Sequence, residues 1–217
     1  MARNAKKEKK TDMKKVMHII GVVLVFLAVF AIFSFLFQSW GKIDYKGLSF
    51  TKESYGNILT YHYYYFFKDE HGQVYKNNIY LRNDPRKNLV PREGEIFLIR
   101  NFPLYVGVNT TRLGNCSDFT LALPMLSSFL GSNLFETHGG FIDADEAAAH
   151  NSTYVTCRTH PSSSVILIQE GNATTVTRTA ENCYKISIAN CELTPAVEKF
   201  IVESIIDAKW RQHTPQS

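Results

Sequence analysis

The stretch that decides the architecture of this chain is Val16 to Phe37, VMHIIGVVLVFLAVFAIFSFLF, 22 residues without Asp, Glu, Lys or Arg. As a helix rising about 1.5 Å per residue it measures about 33 Å, the hydrocarbon thickness of a bilayer. A helix at a soluble surface would carry a polar stripe; here only His18 and Ser34 interrupt the apolar run, each near one end. A helix satisfies its own backbone polar groups, as lipid requires. Trp40 follows at the depth where an aromatic anchor meets the headgroups. The reading is a transmembrane helix over residues 16–38.

Working outward, the flanks orient this helix. Residues 1–15 hold Arg3, Lys6, Lys7, Lys9, Lys10, Lys14 and Lys15 against Glu8 and Asp12. Only Lys42 and Lys46 follow closely on the other side. The positive-inside rule therefore predicts a cytoplasmic basic tail (1–15) and an extracytoplasmic domain (39–217) on a single-pass membrane protein of the cell membrane. A cleaved signal peptide would have a shorter apolar core ending in a small-residue cleavage site, whereas Ala28 and Ala31 lie in the middle of this one. A pilin-like leader would end in a small residue, which Lys14-Lys15-Val16-Met17 does not provide. Beyond the tail the chain carries 24 − 7 = 17 basic and 20 − 2 = 18 acidic groups. A near-neutral body excludes a basic nucleic-acid-binding surface, so no nucleic-acid partner is expected; the expected lipid contact is through residues 16–38.

The remaining 217 − 38 = 179 residues suffice for one domain with its own core. Alternating segments predict strands over 48–54, 58–67, 73–75, 78–82, 95–100, 104–108, 153–158, 164–168, 174–179 and 183–189, with Asp69-Glu-His-Gly72 as a hairpin turn. Helical spacing predicts helices at 124–130, from the capping box Asp143-Ala-Asp-Glu146 to His150, and from Thr194-Pro195 onward. In the last of these Val197, Phe200, Ile201, Ser204, Ile205 and Ala208 line one side, while Glu198, Lys199, Glu203, Asp207 and Arg211 are expected to face away from the sheet. The expected fold is α+β, an N-terminal transmembrane helix followed by a mainly antiparallel sheet domain with a few packed helices.

All four cysteines (Cys116, Cys157, Cys183, Cys191) fall in the outer half, where an oxidising compartment makes disulfides the default. Three pairings are possible. Cys183 with Cys191, which bracket a short strand and turn, and Cys116 with Cys157 are favoured. No Cys-x-x-Cys or Cys-x-x-His spacing supports zinc or a thioredoxin-like site. Asn109, Asn115, Asn151 and Asn172 begin glycosylation sequons, all in the outer half.

Three features could carry binding or chemistry. His138, Asp145 and His150 could hold a metal or share a proton, although Asp143 and Glu146 are explained as capping residues and His150 as a last-turn cation. Arg82 and Arg86 flank the turn former Asn83-Asp84-Pro85 and could recognise a carboxylate or phosphate, unless they are solvated turn charges. The strand Tyr61-His-Tyr-Tyr-Tyr-Phe-Phe67 could bury one aromatic face and offer the other as a platform. No His-Glu-x-x-His or Gly-x-Ser-x-Gly occurs, and no cofactor is expected.

Tyr45-x-Gly47-x-x-Phe50, the strand of tyrosines, Tyr80-Leu-Arg-Asn-Asp-Pro-Arg86, and Asn182-Cys183 ahead of Glu198-Lys-Phe200 together resemble a group of uncharacterised single-pass membrane proteins of small-genome archaea. The resemblance covers most of the outer domain. It implies a cell-surface setting, no known activity and no catalytic residue. The expected function is a membrane-anchored, extracytoplasmic binding or assembly module of the cell envelope, its partner an envelope protein or glycan; the alternative is a membrane-tethered, metal-dependent enzyme.

Overall fold

The computed structural model describes residues 17–34 and 41–213. The basic tail, the two ends of the apolar run and Trp40 lie outside the described residues. Met17–Ser34 is a single exposed helix, α1, long and apolar enough to cross a membrane. It belongs to one compact unit, and the chain from Ile43 onward forms another.

The second unit begins with a four-stranded sheet in the order β1 (Lys42–Tyr45), β2 (Leu48–Tyr55), β3 (Ile58–Lys68), β4 (Val74–Leu81). Its turns follow from local chemistry. Lys46 and Gly47 both have positive φ (47° and 81°), the type I′ geometry that matches strand twist in a two-residue hairpin. The Asp69 carboxylate accepts the amides of His71 (2.9 Å) and Gln73 (2.8 Å) and so closes the β3–β4 hairpin where the sequence places it. β3 runs antiparallel to both β2 and β4.

A seven-stranded sheet follows, ordered β5 (Arg92–Glu93), β10 (Thr175–Ala180), β11 (Cys183–Ile188), β9 (Ser164–Glu170), β6 (Leu104–Val108), β7 (Thr137–Phe141), β8 (Thr153–Tyr154). This sheet is mixed. Only β10–β11 is antiparallel, whereas β5–β10, β11–β9, β9–β6, β6–β7 and β7–β8 run parallel. The fold is thus α+β, but the antiparallel pairing expected of the domain holds in the first sheet and not in most of the second. The reason lies in the connections. The helices α2 (Thr110–Leu113) and α3 (Phe119–Ser132) carry the chain from β6 to β7, and α4 (Ala144–Ala149) carries it from β7 to β8, as crossovers between parallel neighbours require. In addition, β11 inserts between β9 and β10.

The expected strand at 95–100 is irregular backbone. Side chains replace a neighbouring strand there. The Ile96 amide donates to Asp207 Oδ2 (2.8 Å), the Phe97 amide to the Tyr184 hydroxyl (2.8 Å), and that hydroxyl donates to the Phe97 carbonyl (2.6 Å).

The last helix, α5 (Leu193–His213), corrects a second expectation. Its apolar residues Val197, Phe200 and Ile201 are buried as expected, but Glu198 and Glu203 are each only 1% exposed and Asp207 8%. α5 packs against α3, β10 and β11 on one side, while its polar side meets the first sheet and the segment that follows it. Glu203 binds Lys46 (2.7 Å), Lys199 (3.3 Å), Arg92 (3.4 Å) and the Tyr45 hydroxyl (3.2 Å). Asp207 binds Arg92 at 2.6 Å. Glu198 accepts the Arg82 amide and the Asn83 side chain (2.8 Å). The polar stripe can be buried because Glu203 and Asp207 are ion-paired and Glu198 is hydrogen-bonded.

The cysteines form Cys116–Cys191 and Cys157–Cys183, with Cα separations of 5.2 and 5.7 Å, not the favoured pairing. Cys183 opens β11 and Cys191 follows its far end. A six-residue strand at about 3.3 Å per residue keeps those two roughly 20 Å apart, far beyond the reach of about 7 Å for a disulfide. Each bridge instead sits at one end of the second sheet. Cys157–Cys183 is at the amino ends of β9 and β11. Cys116–Cys191 is beyond the carboxyl ends of β6 and β11, where Asp118 Oδ2 also accepts the Thr194 amide at the start of α5 (2.7 Å).

Candidate binding sites

The alternation of β3 creates two aromatic faces. Tyr61, Tyr63, Tyr65 and Phe67 point inward, and His62, Tyr64 and Phe66 outward.

On the inner side, Tyr63, Tyr65 and Phe67 form one wall of a groove of about 990 Å³. The 97–101 segment, the end of α3 with Phe129 and Phe135, and the last turns of α5 form the others. Its floor is apolar and buried: Phe129, Phe67 and Ile205 are at most 9% exposed. The polar groups beside the floor satisfy one another. The Tyr65 hydroxyl donates to Asn133 Oδ1 (2.6 Å) and accepts from Asn77 Nδ2 (3.0 Å), and Ser132 Oγ donates to Asn77 Oδ1 (3.0 Å). Burial pushes the Tyr65 phenol up to about 12, so it remains a donor at neutral pH. The rim is cationic. Arg100 lies 4.4 Å over the Phe67 ring and Arg211 4.5 Å over the Phe97 ring, with Lys209 beside them.

On the outer side, Tyr55, Tyr80, His62, Tyr64 and Phe66 make a continuous ladder of rings. Tyr80 stacks on His62 at 4.5 Å, Tyr55 meets Tyr80 at 6.5 Å, and Tyr64 lies 6.0 Å from both His62 and Phe66. Tyr55, Tyr64, Phe66 and Tyr80 are 44–61% exposed. Neighbouring side chains hold the ladder upright: across the strands Glu53 binds His62 Nδ1 (2.7 Å) and Lys76 sits 4.5 Å over Tyr64, and within β2 Glu53 also accepts the Tyr55 hydroxyl (2.7 Å). The hydrogen bonds it accepts from the Tyr55 hydroxyl and from His62 hold the Glu53 carboxyl below the usual range. The sequence pointed to both faces of β3; the groove opposite them draws on α3, α5 and the irregular 97–101 segment, which no local pattern connects.

The residues singled out from sequence lie elsewhere. Arg86 is bound to Asp84 (2.8 Å), whose carboxyl the Arg86 side chain holds below its usual range. Arg82 is exposed and contributes its amide to Glu198. His138, on β7 of the other sheet, is exposed, pairs with Glu136 (3.2 Å) and stacks on Tyr105 (5.2 Å). His150 ends α4 and stacks on Phe141 (5.1 Å). Asp143 caps α4 through the Glu146 amide (2.9 Å), but the Glu146 carboxylate, which a capping box would turn back on Asp143, binds Thr110 and Thr111 instead. Among the described residues no three His, Cys, Asp or Glu side chains converge as a metal site would require, those of His138, Asp145 and His150 included. Of the sequon asparagines, Asn115, Asn151 and Asn172 are exposed, whereas Asn109 is half-buried and its Oδ1 caps α2 through the Arg112 amide (3.1 Å).

No protein family, curated protein or solved structure matches the chain.

Proposed function

We propose that this chain is a single-pass membrane protein, amino terminus cytoplasmic, whose extracytoplasmic domain recognises another protein of the cell envelope through the outer face of its first sheet. The observation that carries the reading is the ladder Tyr55–Tyr80–His62–Tyr64–Phe66. Four exposed rings joined through the half-buried His62 form the kind of patch that soluble monomers rarely expose, and aromatic residues dominate the energetics of protein interfaces. The ring planes favour a protein over a glycan. Tyr64 is inclined 39° to His62 and 83° to Phe66, so the ladder is corrugated and suits interdigitating side chains better than the flat face of a sugar. Two disulfides and a helix apolar enough to cross a membrane support the anchored, oxidised setting, as does the resemblance to archaeal single-pass proteins.

The test is a photocrosslinking amino acid at position 64 of the full chain in its native membrane. A discrete protein adduct is expected, weakened by Phe66→Ser and absent when the probe is at Arg158. Failure of position 64 to crosslink any better than position 158 would remove the proposal, and an adduct sensitive to glycosidases but not to protease would reassign the surface to a glycan.

A further inference from the structure

The groove on the inner side of β3 meets this outer surface only at Phe66, and its chemistry specifies a different kind of ligand. We propose that it binds a single-chain lipid with an anionic head, a long-chain carboxylate, with the chain on the floor and the head at the rim.

Three observations converge. First, about 990 Å³ lies at the upper end of the range for small-molecule sites. Second, its walls place no polar demand on a guest. Tyr65, Asn133, Asn77 and Ser132 are hydrogen-bonded to one another, and among the described residues none of the buried polar side-chain atoms lacking a partner belongs to a groove-lining residue. An apolar chain on Phe129 and Ile205 would strand no donor or acceptor, whereas a polar guest would lose its own hydration without compensation there.

Third, polarity rises from floor to rim with a net positive charge. The lining carries Lys68, Arg100, Lys209 and Arg211 against Asp69 and Glu70, and Asp69 already accepts two backbone amides and the Tyr75 hydroxyl. The two guanidiniums are held in place by stacking on Phe67 and Phe97 and by donation to the Lys68 and Ile96 carbonyls. Each has five donors, so further N–H groups remain to grip a carboxylate. Buried apolar floor, satisfied walls and a cationic rim together describe a receptor for an amphiphilic anion.

The test uses the full chain in nanodiscs of neutral phospholipid. It is exposed in one arm to a fatty acid with a photoactivatable group on its chain, and in the other to the alcohol of the same length. The labelled peptides are then mapped. The acid is expected to label Tyr63, Tyr65 and Phe67 and residues 97–101 and 205–212 about tenfold more than the alcohol does, the contribution of one charge-assisted contact, and to leave Tyr64 unlabelled. Arg100→Gln, a rim substitution outside the core, is expected to remove most of that difference. Labelling confined to residues 17–34 would overturn the proposal, as would equal labelling by acid and alcohol or a result unchanged by Arg100→Gln. None of these outcomes bears on crosslinking at position 64, so the two surfaces stand or fall separately.

Discussion

Two carboxylates five residues apart on α5 respond to pH with opposite signs. Burial raises Glu198 to about 7, against the partial relief given by Asn83 and the amides of Arg82 and Asn83. Its protonated form is therefore the one the fold prefers. The stability it lends is complete below the ordinary value of 4.5 and is lost as pH rises through about 7, a difference of about 3 kcal/mol. Burial also raises Glu203, but the hydrogen bond and charge of Lys46, with Lys199 and Arg92, outweigh it and bring the net position below 4.5. Glu203 thus stabilises above its unfolded value, and that contribution is lost on acidification. Denaturant unfolding between pH 5 and 8 is expected to show Glu198→Gln gaining on the parent as pH rises, with the advantage near pH 8 approaching 3 kcal/mol. A variant tracking the parent across that range would refute the assignment. Tyr184→Phe tests another buried contact. The ring is fully buried and its hydroxyl satisfies both the amide and the carbonyl of Phe97, so the variant is expected to lose about 2–3 kcal/mol in the same assay.

At the level of elements, the disulfides define the behaviour of the second sheet. Cys116–Cys191 closes a 75-residue separation and Cys157–Cys183 one of 26. On chain entropy alone these contribute about 4.5 and about 3.5 kcal/mol. Cys116→Ala/Cys191→Ala is expected to lower the midpoint of thermal unfolding more than Cys157→Ala/Cys183→Ala does, and non-reducing peptide mapping should recover the two linkages directly. Elements announced by local chemistry were legible in the sequence: β3 and β9 by composition, the 69–72 turn by its Asp and Gly, α4 by its capping box. β7 was not, because Thr137-His-Gly-Gly-Phe141 has almost none of the β-branched residues that mark a strand. Its Gly140 is required by packing, since a Cβ there would lie 2.3 Å from the Thr153 carbonyl oxygen. The inward polar side of α5 was equally hidden. A stripe of Glu, Lys and Asp reads as solvent-facing until Lys46 and Arg92, more than a hundred residues away in sequence, are placed against it. The strand between Cys183 and Cys191 excludes a bridge between them, which narrows the three possible pairings to two; only the folded domain distinguishes those.

For the whole molecule, the groove is the part least accessible from sequence. It exists only because the end of α3, the irregular 97–101 segment and the last turns of α5 converge on the inner face of β3. The rings of β3 were legible, but Arg100, which tops Phe67, and Arg211, which tops Phe97, were not, since neither lies in a recognisable motif. If the outer domain matures where the proposed topology puts it and the host glycosylates sequons, Asn115, Asn151 and Asn172 are expected to be modified ahead of Asn109. The side chain of Asn109 is engaged at the start of α2; an endoglycosidase mobility shift on single Asn→Gln variants reads this out.

The positions of the two bridges also govern what a protease can achieve. Cys116 and Cys191 enclose five of the seven strands of the second sheet, β7 to β11, with the other bridge inside their interval. One cut anywhere from 117 to 190, including the exposed stretch around Arg158, therefore leaves both pieces covalently attached to whatever anchors the chain. If the chain is anchored as proposed, its release would need a cleavage outside that interval, or a reductant.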